Sequence, residues 1–446
     1  MSKADSVFFK LSSCLNECIQ DVCANQSLFL VNPETNFSRN RSGLSFSTFL
    51  KAPFMFAQES IQSAMTELVL PLTDQSSIPG SSALTAARHK MFPEAYRYIH
   101  HLFDEKTRSD YLYNGYRLLA CGGSEVAVYG LGCSQHLRSK SKIGQQRLFI
   151  HLNTLSDVLE NTIVDTIIQP AEFRNEDEAL LEMAMQNQDL LISSVIIADR
   201  GYESLILFYR LNQLGAKFII RIKDIQSYNS ILKRFEFDPA REIDSWFNFT
   251  HTKDPEQKKK DPAGIKYLWN YQNLSEFYVQ RDIPLNIRIV RFPIEKEGGE
   301  IVWECLATNL DMDEFSSDDL KAVYHLRWNI ETSFNHLKHS LNISKLKSRT
   351  LWNIEQEIYA KILIYNLTSR IRNHLERKRE KVQAKNPIYE RRINLRRVIA
   401  QCKRYLFHLA KLLDWGLDID SFLRKETVPL IPNRPNTRSK YLRRKR

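Results

Sequence analysis

Glycine and proline are scarce, 14 and 15 of 446 residues, which excludes collagen-like and low-complexity architectures. No stretch reaches the ~18 consecutive apolar residues that a membrane-spanning helix needs. Polar residues interrupt every apolar run of the opening segment MSKADSVFFKLSSCLNECIQD, so it does not read as a signal peptide. A soluble, cytoplasmic protein with no membrane partner is the expectation. Cysteine is thin: Cys14, Cys18, Cys23, Cys121, Cys133, Cys305 and Cys402 are an odd number with no C-x-x-C pair or neighbouring His to complete a zinc spacing. They read as free, buried thiols. There is no Gly-rich phosphate loop ending in Lys-Ser/Thr, no H-E-x-x-H and no repeat of fixed period, so ATPase, zinc-protease and solenoid readings lack support.

What is present is an ordinary folded composition: 43% hydrophobic, 11% aromatic and 26% charged residues. At roughly 100–200 residues per domain the length suggests two to four domains. The net charge of +11 is unevenly placed. From Ile371 to Arg446 there are 22 Lys+Arg against 7 Asp+Glu, a surplus of 15, so the preceding 370 residues are net acidic by 4. A basic segment on a near-neutral body points to a polyanionic partner, nucleic acid before membrane, although a solvated basic helix and tail has the same composition.

Apolar spacing predicts helices over Ser45–Phe56, Glu59–Val69 and Ser82–Phe103, the last kinked or split at Pro93, with a polar loop at Asp74–Ser82. Short helices before a longer one fit a DNA-reading module, and equally any helical bundle. From Tyr116 the texture changes. Tyr116–Cys121 and Glu125–Tyr129 read as strands around a Gly-Gly turn, followed by strands at Arg147–His151 and Thr162–Gln169. Helix Glu176–Leu191, strand Ser194–Ala198, helix Tyr202–Leu214 and strand Lys217–Ile222 then alternate, indicating a mixed sheet flanked by helices. A β-rich insertion follows, with the turn-rich loop Thr252–Gly264 and strands Pro284–Pro293 and Glu300–Ala307. Trp246, Trp269 and Trp303 lie in or beside it and read as packing of a small β domain. Helices are expected over Ser316–Leu341, capped by Ser316 or Ser317, over Leu351–Arg379 and over Ile388–Leu413, before a disordered tail RPNTRSKYLRRKR.

The most informative segment runs from Tyr324 to Lys338. At about 100° per residue, Arg327, Glu331 and Lys338 lie within roughly 60° of Tyr324, so one helical stripe presents a hydroxyl, a guanidinium, a carboxylate and an ammonium. Ile330, Phe334, Leu337 and Leu341 mark the buried stripe beside it, while His336 and His339 fall on the polar face. A carboxylate between cations suits phosphate handling, with Glu331 on a metal ion and Arg327 and Lys338 on phosphate oxygens; an ion-paired surface helix has the same pattern. The second element is the apolar strand that delivers Asp199 to its carboxyl tip, ahead of Arg200-Gly201-Tyr202. Open α/β sheets bind ligands at such tips, and Asp199 is equally suited to cap the next helix.

Tyr, two residues, Arg, three residues, Glu, six residues, Lys resembles the signature of a large group of bacterial insertion-sequence transposases, matched by Tyr324, Arg327, Glu331 and Lys338. Asp199-Arg-Gly-Tyr resembles the group's second catalytic motif, and weaker similarity extends from about Phe37 to Leu367, including His151-Leu-Asn and Asp157. The resemblance implies a DDE transposase with an RNase H-like catalytic core: a mixed α/β fold with flanking helices, a β-rich insertion and helical terminal regions. The implied division is a helical DNA-binding region 1–105, core 106–223, insertion 224–310, core helices 311–370 and a basic helical region with its tail, 371–446. Two Mg²⁺ (or Mn²⁺) ions held by three carboxylates are implied, with Asp199 as the second and Glu331 as the third. Tyr324, Arg327 and Lys338 would grip the transposon-end backbone. Double-stranded DNA is the implied partner, a homodimer on DNA the implied assembly, with no small-molecule substrate, in a bacterial, nucleoid-associated setting.

The pattern breaks at the first carboxylate. Where the group has Leu-Leu-Ala-x-Asp-Gly-Ser, this chain has Leu118-Leu-Ala-Cys-Gly122-Gly-Ser124, and a glycine ligates no metal. Glu125, three residues on, points to the opposite face of a strand and reads as an exposed residue. Asp157 reads as a cap or fold-supporting acceptor. The expectation is a transposase impaired in catalysis, or, from another class, a non-catalytic DNA-binding relic or inhibitor. Arg391-Arg392, Arg396-Arg397 and Lys403-Arg404, interleaved with Leu395, Val398, Ile399, Leu406 and Leu409, describe a basic amphipathic helix for phosphate contact.

Overall fold

The computed structural model describes residues 6–35, 45–56, 60–69, 78, 80–129, 138–140, 146–227, 230–232, 235, 238–252, 254–260, 265–267, 282–295, 299–378 and 390–429. The tail 434–446, Trp269, Cys133, much of the loop at 74–82 and residues 253 and 261–264 lie outside them; within the expected loop 252–264 the described Pro255–Lys260 is helical. The chain divides into two compact units, residues 1–108 with 337–446, and residues 109–336.

The first unit opens with α1 (Val7–Ala24), capped by the Ser6 side chain, which accepts from Phe9 N. Then come α2 (Phe46–Met55), α3 (Ile61–Val69), α4 (Ser81–Arg88) and α5 (Glu94–Thr107). Pro93 does split the predicted long helix, standing at the N-cap of α5 where its missing N–H costs no helical hydrogen bond.

In the second unit β1 (Arg117–Val128), β2 (Arg138–Lys140), β3 (Gln146–Asp157) and β4 (Thr162–Pro170) form antiparallel pairs around β3. After α6 (Glu176–Gln186) and α7 (Gln188–Leu191), β5 (Ser194–Ala198) lies parallel to β1. After α8 (Leu205–Gln213), β6 (Lys217–Ile222) lies parallel to β5. Hairpin strands first and parallel crossover strands second give the expected mixed sheet with flanking helices. The predicted helix 176–191 is interrupted at Asn187, whose side chain bonds Asp165 and the Met183 carbonyl.

One expectation for β1 needs correction. Gly122 and Gly123 form no turn: β1 is one strand, laddered to β3 without a break from Leu119↔Asp157 to Val128↔Leu148. The glycines serve close approach instead. A Cβ on Gly123 would stand 2.3 Å from His151 Nε2 and 2.9 Å from Glu176 Oε1 on one face of the sheet. A Cβ on Gly122 would stand 3.1 Å from Ile330 Cδ1 on the other.

The segment 224–310 supplies β7 (Ile243–Thr252), α9 (Pro255–Lys260), β8 (Ile265–Tyr267), β9 (Asp282–Glu295) and β10 (Ile301–Thr308). Its strands extend the sheet in the order β6-β10-β9-β7-β8, ten strands in all among the described residues. Two buried arginines of β9 hold this half in place. Arg288 pairs with Asp244 (Nε–Oδ1 2.7 Å) and donates to the Phe315 carbonyl at 2.7 Å. Arg291 pairs with Asp224 at 2.7 Å, donates to the Arg241 carbonyl, and stacks 3.7 Å from the Trp303 ring centroid. Trp303 is therefore half-buried, whereas Trp246 is 39% exposed and packs no core.

The predicted helix 316–341 is two helices, α10 (Ser317–His325) and α11 (Trp328–His339). Ser316 caps α10 in a reciprocal box with Asp319. Between the helices Leu326, Arg327, Asn329 and Ile330 donate to the third residue back, not the fourth, which tightens one turn without stopping the chain's winding. Asn329 Nδ2 fastens the new start to the Val158 carbonyl at 3.0 Å.

The chain ends in the first unit with α12 (Leu351–Arg377), β11 (Arg391–Ile393), α13 (Leu395–Tyr405), α14 (Leu409–Asp414), α15 (Ile419–Lys425) and β12 (Thr427–Pro429). The predicted basic helix 388–413 thus starts only at Leu395, because 391–393 pair with 427–429 in a two-stranded ladder. Arg88, fully buried, fastens α4 to α12: it donates to Gln356 Oε1 (2.9 Å), Ser348 Oγ (3.0 Å) and the Asn353 carbonyl (2.6 Å).

The two glycine approaches differ in what must yield. Gly123→Ala meets a buried imidazole held 3.0 Å from the Glu176 carboxylate, and is expected to cost about 1–3 kcal/mol. Gly122→Ala meets a terminal methyl and should cost less. Urea unfolding of both variants tests this; equal stabilities would contradict the packing described.

Candidate functional site

Asp199 follows the last buried residue of β5 and is exposed; its Oδ1 accepts from Gly201 N at 2.7 Å, so it does cap the following turn. That turn is anchored by buried Tyr202, whose hydroxyl bonds Cys121 Sγ at 3.3 Å, and burial pushes the Cys121 thiol up to about 12. The parallel register pairs Ala120 with Ile197, so two residues further along Gly122 is level with Asp199. On the adjoining face, the position that a Gly122 Cβ would take lies 3.1 Å from Ile330 Cδ1 and 3.7 Å from the Phe334 ring. Glu331 is the next residue after Ile330, half-buried, with Arg327 Nη2 3.5 Å from its Oε1. Gly122 therefore lies beside the strand that carries Asp199 and against the helical turn that carries Glu331.

The signature residues are less exposed than one polar stripe implies, because the tightened turn rotates them. Tyr324, on α10, is 5% exposed, and Arg327, in the turn, is 9% exposed. The Arg327 guanidinium lies 5.7 Å from the ring centroids of both Tyr324 and Trp328. Neither the Tyr324 hydroxyl nor Arg327 Nε makes a well-formed hydrogen bond among the described residues. Burial raises the Tyr324 pKa, against the pull of Arg327 and Arg221. Lys338 is half-buried two turns beyond Glu331 on α11. Arg391 and Arg392 are exposed on β11, and Arg396 and Arg397 are exposed on α13, whose apolar face buries Leu395, Val398, Ile399 and Cys402.

Tyr324 and Arg327 line a cavity of about 790 Å³ with Arg221, Phe292, Glu304, Lys321, His325 and Trp328 among its walls. Arg221 and Glu304 were not among the residues expected from sequence. They sit diagonally across the β6–β10 ladder, with Arg221 Nε 3.0 Å from Glu304 Oε1. Burial raises the Glu304 pKa, opposed by Arg221, Arg327 and His325. Their separation of 83 positions left no local signal; only the strand pairing brings them together.

Glu125 is exposed and paired with Arg174 at 3.0 Å. Asp157 is buried against Arg117 and accepts from Leu159 N and Glu160 N at 2.9 and 3.0 Å, a fold-supporting role. Glu176 is 3.0 Å from His151 Nε2, which holds its carboxyl below the usual range. Among the described residues no group of three or more His, Cys, Asp or Glu side chains is arranged to hold a metal ion. The residues present thus do not fit the two-ion centre that the sequence resemblance implied. The six described cysteines are free thiols, and no described helix is long and apolar enough to cross a membrane.

Among solved structures the chain is similar to a piggyBac transposase, seen by cryo-EM as a synaptic complex with hairpin DNA, at 11% identity and a TM-score of 0.45, over 94% of this chain and 83% of that one. No curated protein sequence matches. A family model described as "Transposase DDE domain" matches residues 116–367, more than half of the 446. The match spans β1, where Gly122 lies, and runs through Asp199 and Glu331 into α12. The chain belongs to the transposase DDE domain family.

Proposed function

We propose that this chain is an insertion-sequence transposase that binds the ends of its element and is impaired in DNA cleavage and strand transfer. Gly122 carries the reading. It occupies the first of three carboxylate positions, level with Asp199 and packed against the turn of Glu331. Asp199 and Glu331 are the two remaining carboxylates for Mg²⁺ or Mn²⁺, and two such groups hold an ion more weakly than three. Tyr324, Arg327 and Lys338 contact transposon-end phosphates, the first two from the cavity wall. Arg391, Arg392, Arg396 and Arg397 add phosphate contacts from an exposed basic face. The partner is double-stranded DNA, bound as a homodimer, in the cytoplasm of a bacterium at the nucleoid.

The same observation favours a second reading, a DNA-binding relic that occupies ends and inhibits an active copy. End cleavage with Mg²⁺ or Mn²⁺, compared between the parent and Gly122→Asp, distinguishes them. The impaired-enzyme reading expects weak cleavage in the parent and a rise of at least about 100-fold in the variant, since a third carboxylate would strengthen the hold on the ions that act on the reacting phosphate. No cleavage by either protein, with both bound to ends, favours the relic. Equal cleavage by both would refute the impairment.

The basic face makes a separate prediction. The observed association constant for duplex DNA should fall steeply with KCl. Arg396→Ala with Arg397→Ala should flatten the log–log slope by about 1–2, at about 0.9 for each phosphate no longer neutralised. An unchanged slope removes these arginines from the interface.

A further inference from the structure

Glu304 stands out because a buried carboxylate in a cationic cavity opposes the binding of an anion. The cavity wall holds Arg221, Lys321 and Arg327, with His325 beside them. Glu304 is 8% exposed and Asp318 is the other acid in the lining. Left unpaired, so buried a carboxylate would be costly. The structure pairs it through one edge of Arg221, Nε to Oε1 at 3.0 Å, with the Arg221 side chain itself 37% exposed. Arginine has five N–H donors in a rigid fork, so an ion pair at the Nε edge leaves the terminal nitrogens available to a second anion. Two further groups of the same wall, the Tyr324 hydroxyl and Arg327 Nε, are buried without a well-formed partner among the described residues.

We propose that Glu304 is a positioning residue: it holds Arg221 by its Nε edge so that Arg221, Arg327 and the Tyr324 hydroxyl converge on one DNA phosphate in the cavity. This rests on the phosphate-binding reading of Tyr324 and Arg327. Glu304 itself does not touch the phosphate. It supplies orientation, in the way that an outer carboxylate fixes a ligating side chain. Lysine at position 221 keeps the charge and loses the fork, so it does not substitute.

The sign of one measurement decides the matter. By charge alone, removing an acid from a cationic cavity tightens the binding of DNA. Positioning requires the opposite. With a fluorescein-labelled 30-base-pair duplex and the full chain at fixed KCl, Glu304→Ala should weaken binding about tenfold, the scale of a lost charge-assisted hydrogen bond. Glu304→Gln, which keeps an acceptor at the same place, should recover most of that loss. Arg221→Lys should lose as much as Arg221→Ala, and Glu304→Ala should add nothing in the Arg221→Ala background. Thermal melts establish that each variant is folded; if Glu304→Ala is not, the Gln and Lys variants carry the test.

Tighter or unchanged binding by folded Glu304→Ala overturns the proposal, as do parent-like binding by Arg221→Lys or additive losses in the double variant. Failure of the underlying reading is separate: Arg327→Ala and Tyr324→Phe would then leave DNA affinity unchanged, whatever Glu304 does.

Discussion

Strand β1 crosses the sheet with two consecutive residues that have no side chain, and both faces of the sheet close onto it there. On one face buried His151 and its half-buried neighbour Glu176 lie where a Gly123 side chain would be. On the other, Ile330 and Phe334 of α11 press on Gly122. The close contact fixes where α11 docks on the sheet. Docking in turn sets the height of Glu331 relative to the tip of β5. The same two glycines that let the sheet and its covering side chains approach therefore fix the separation within which any chemistry at that edge must work.

The sequence foretold those parts of the fold whose signal is local. Strands 194–198 and 217–222 are short apolar runs bounded by polar turns, and the structure places them almost residue for residue. Pro93 marks a helix start through its fixed φ and missing donor. The Gly122-Gly123 pair misled because glycines usually punctuate turns, yet neither has a positive φ and the ladder to β3 runs straight through them. The break at Leu326–Arg327 was hidden for a different reason. Four hydrogen bonds to the third residue back replace the usual pattern without altering the apolar spacing enough to show.

The site divides in the same way. Asp199, Glu331 and the spacing of Tyr324 and Arg327 are written within short segments, so motif arithmetic can propose them. Arg221 and Glu304 meet only because β6 and β10 pair antiparallel across an inserted stretch of chain. Nothing near either residue says that the other exists. A helical wheel treats residues 316–341 as one rod, whereas the chain forms two helices with a tightened turn between them, and Tyr324 and Arg327 are buried.

Arg288 and Arg291 give the region 224–310 a property of a different sort. Each guanidinium reaches from β9 into backbone carbonyls or carboxylates on segments that flank the strand bundle, at Asp224 on the entry side and at Phe315 on the exit side. The region is thus not a cassette. Replacing it with an unrelated stretch would take away the Arg288 guanidinium that satisfies the Phe315 carbonyl beyond its end, so the exit seam binds these strands to the segment that follows.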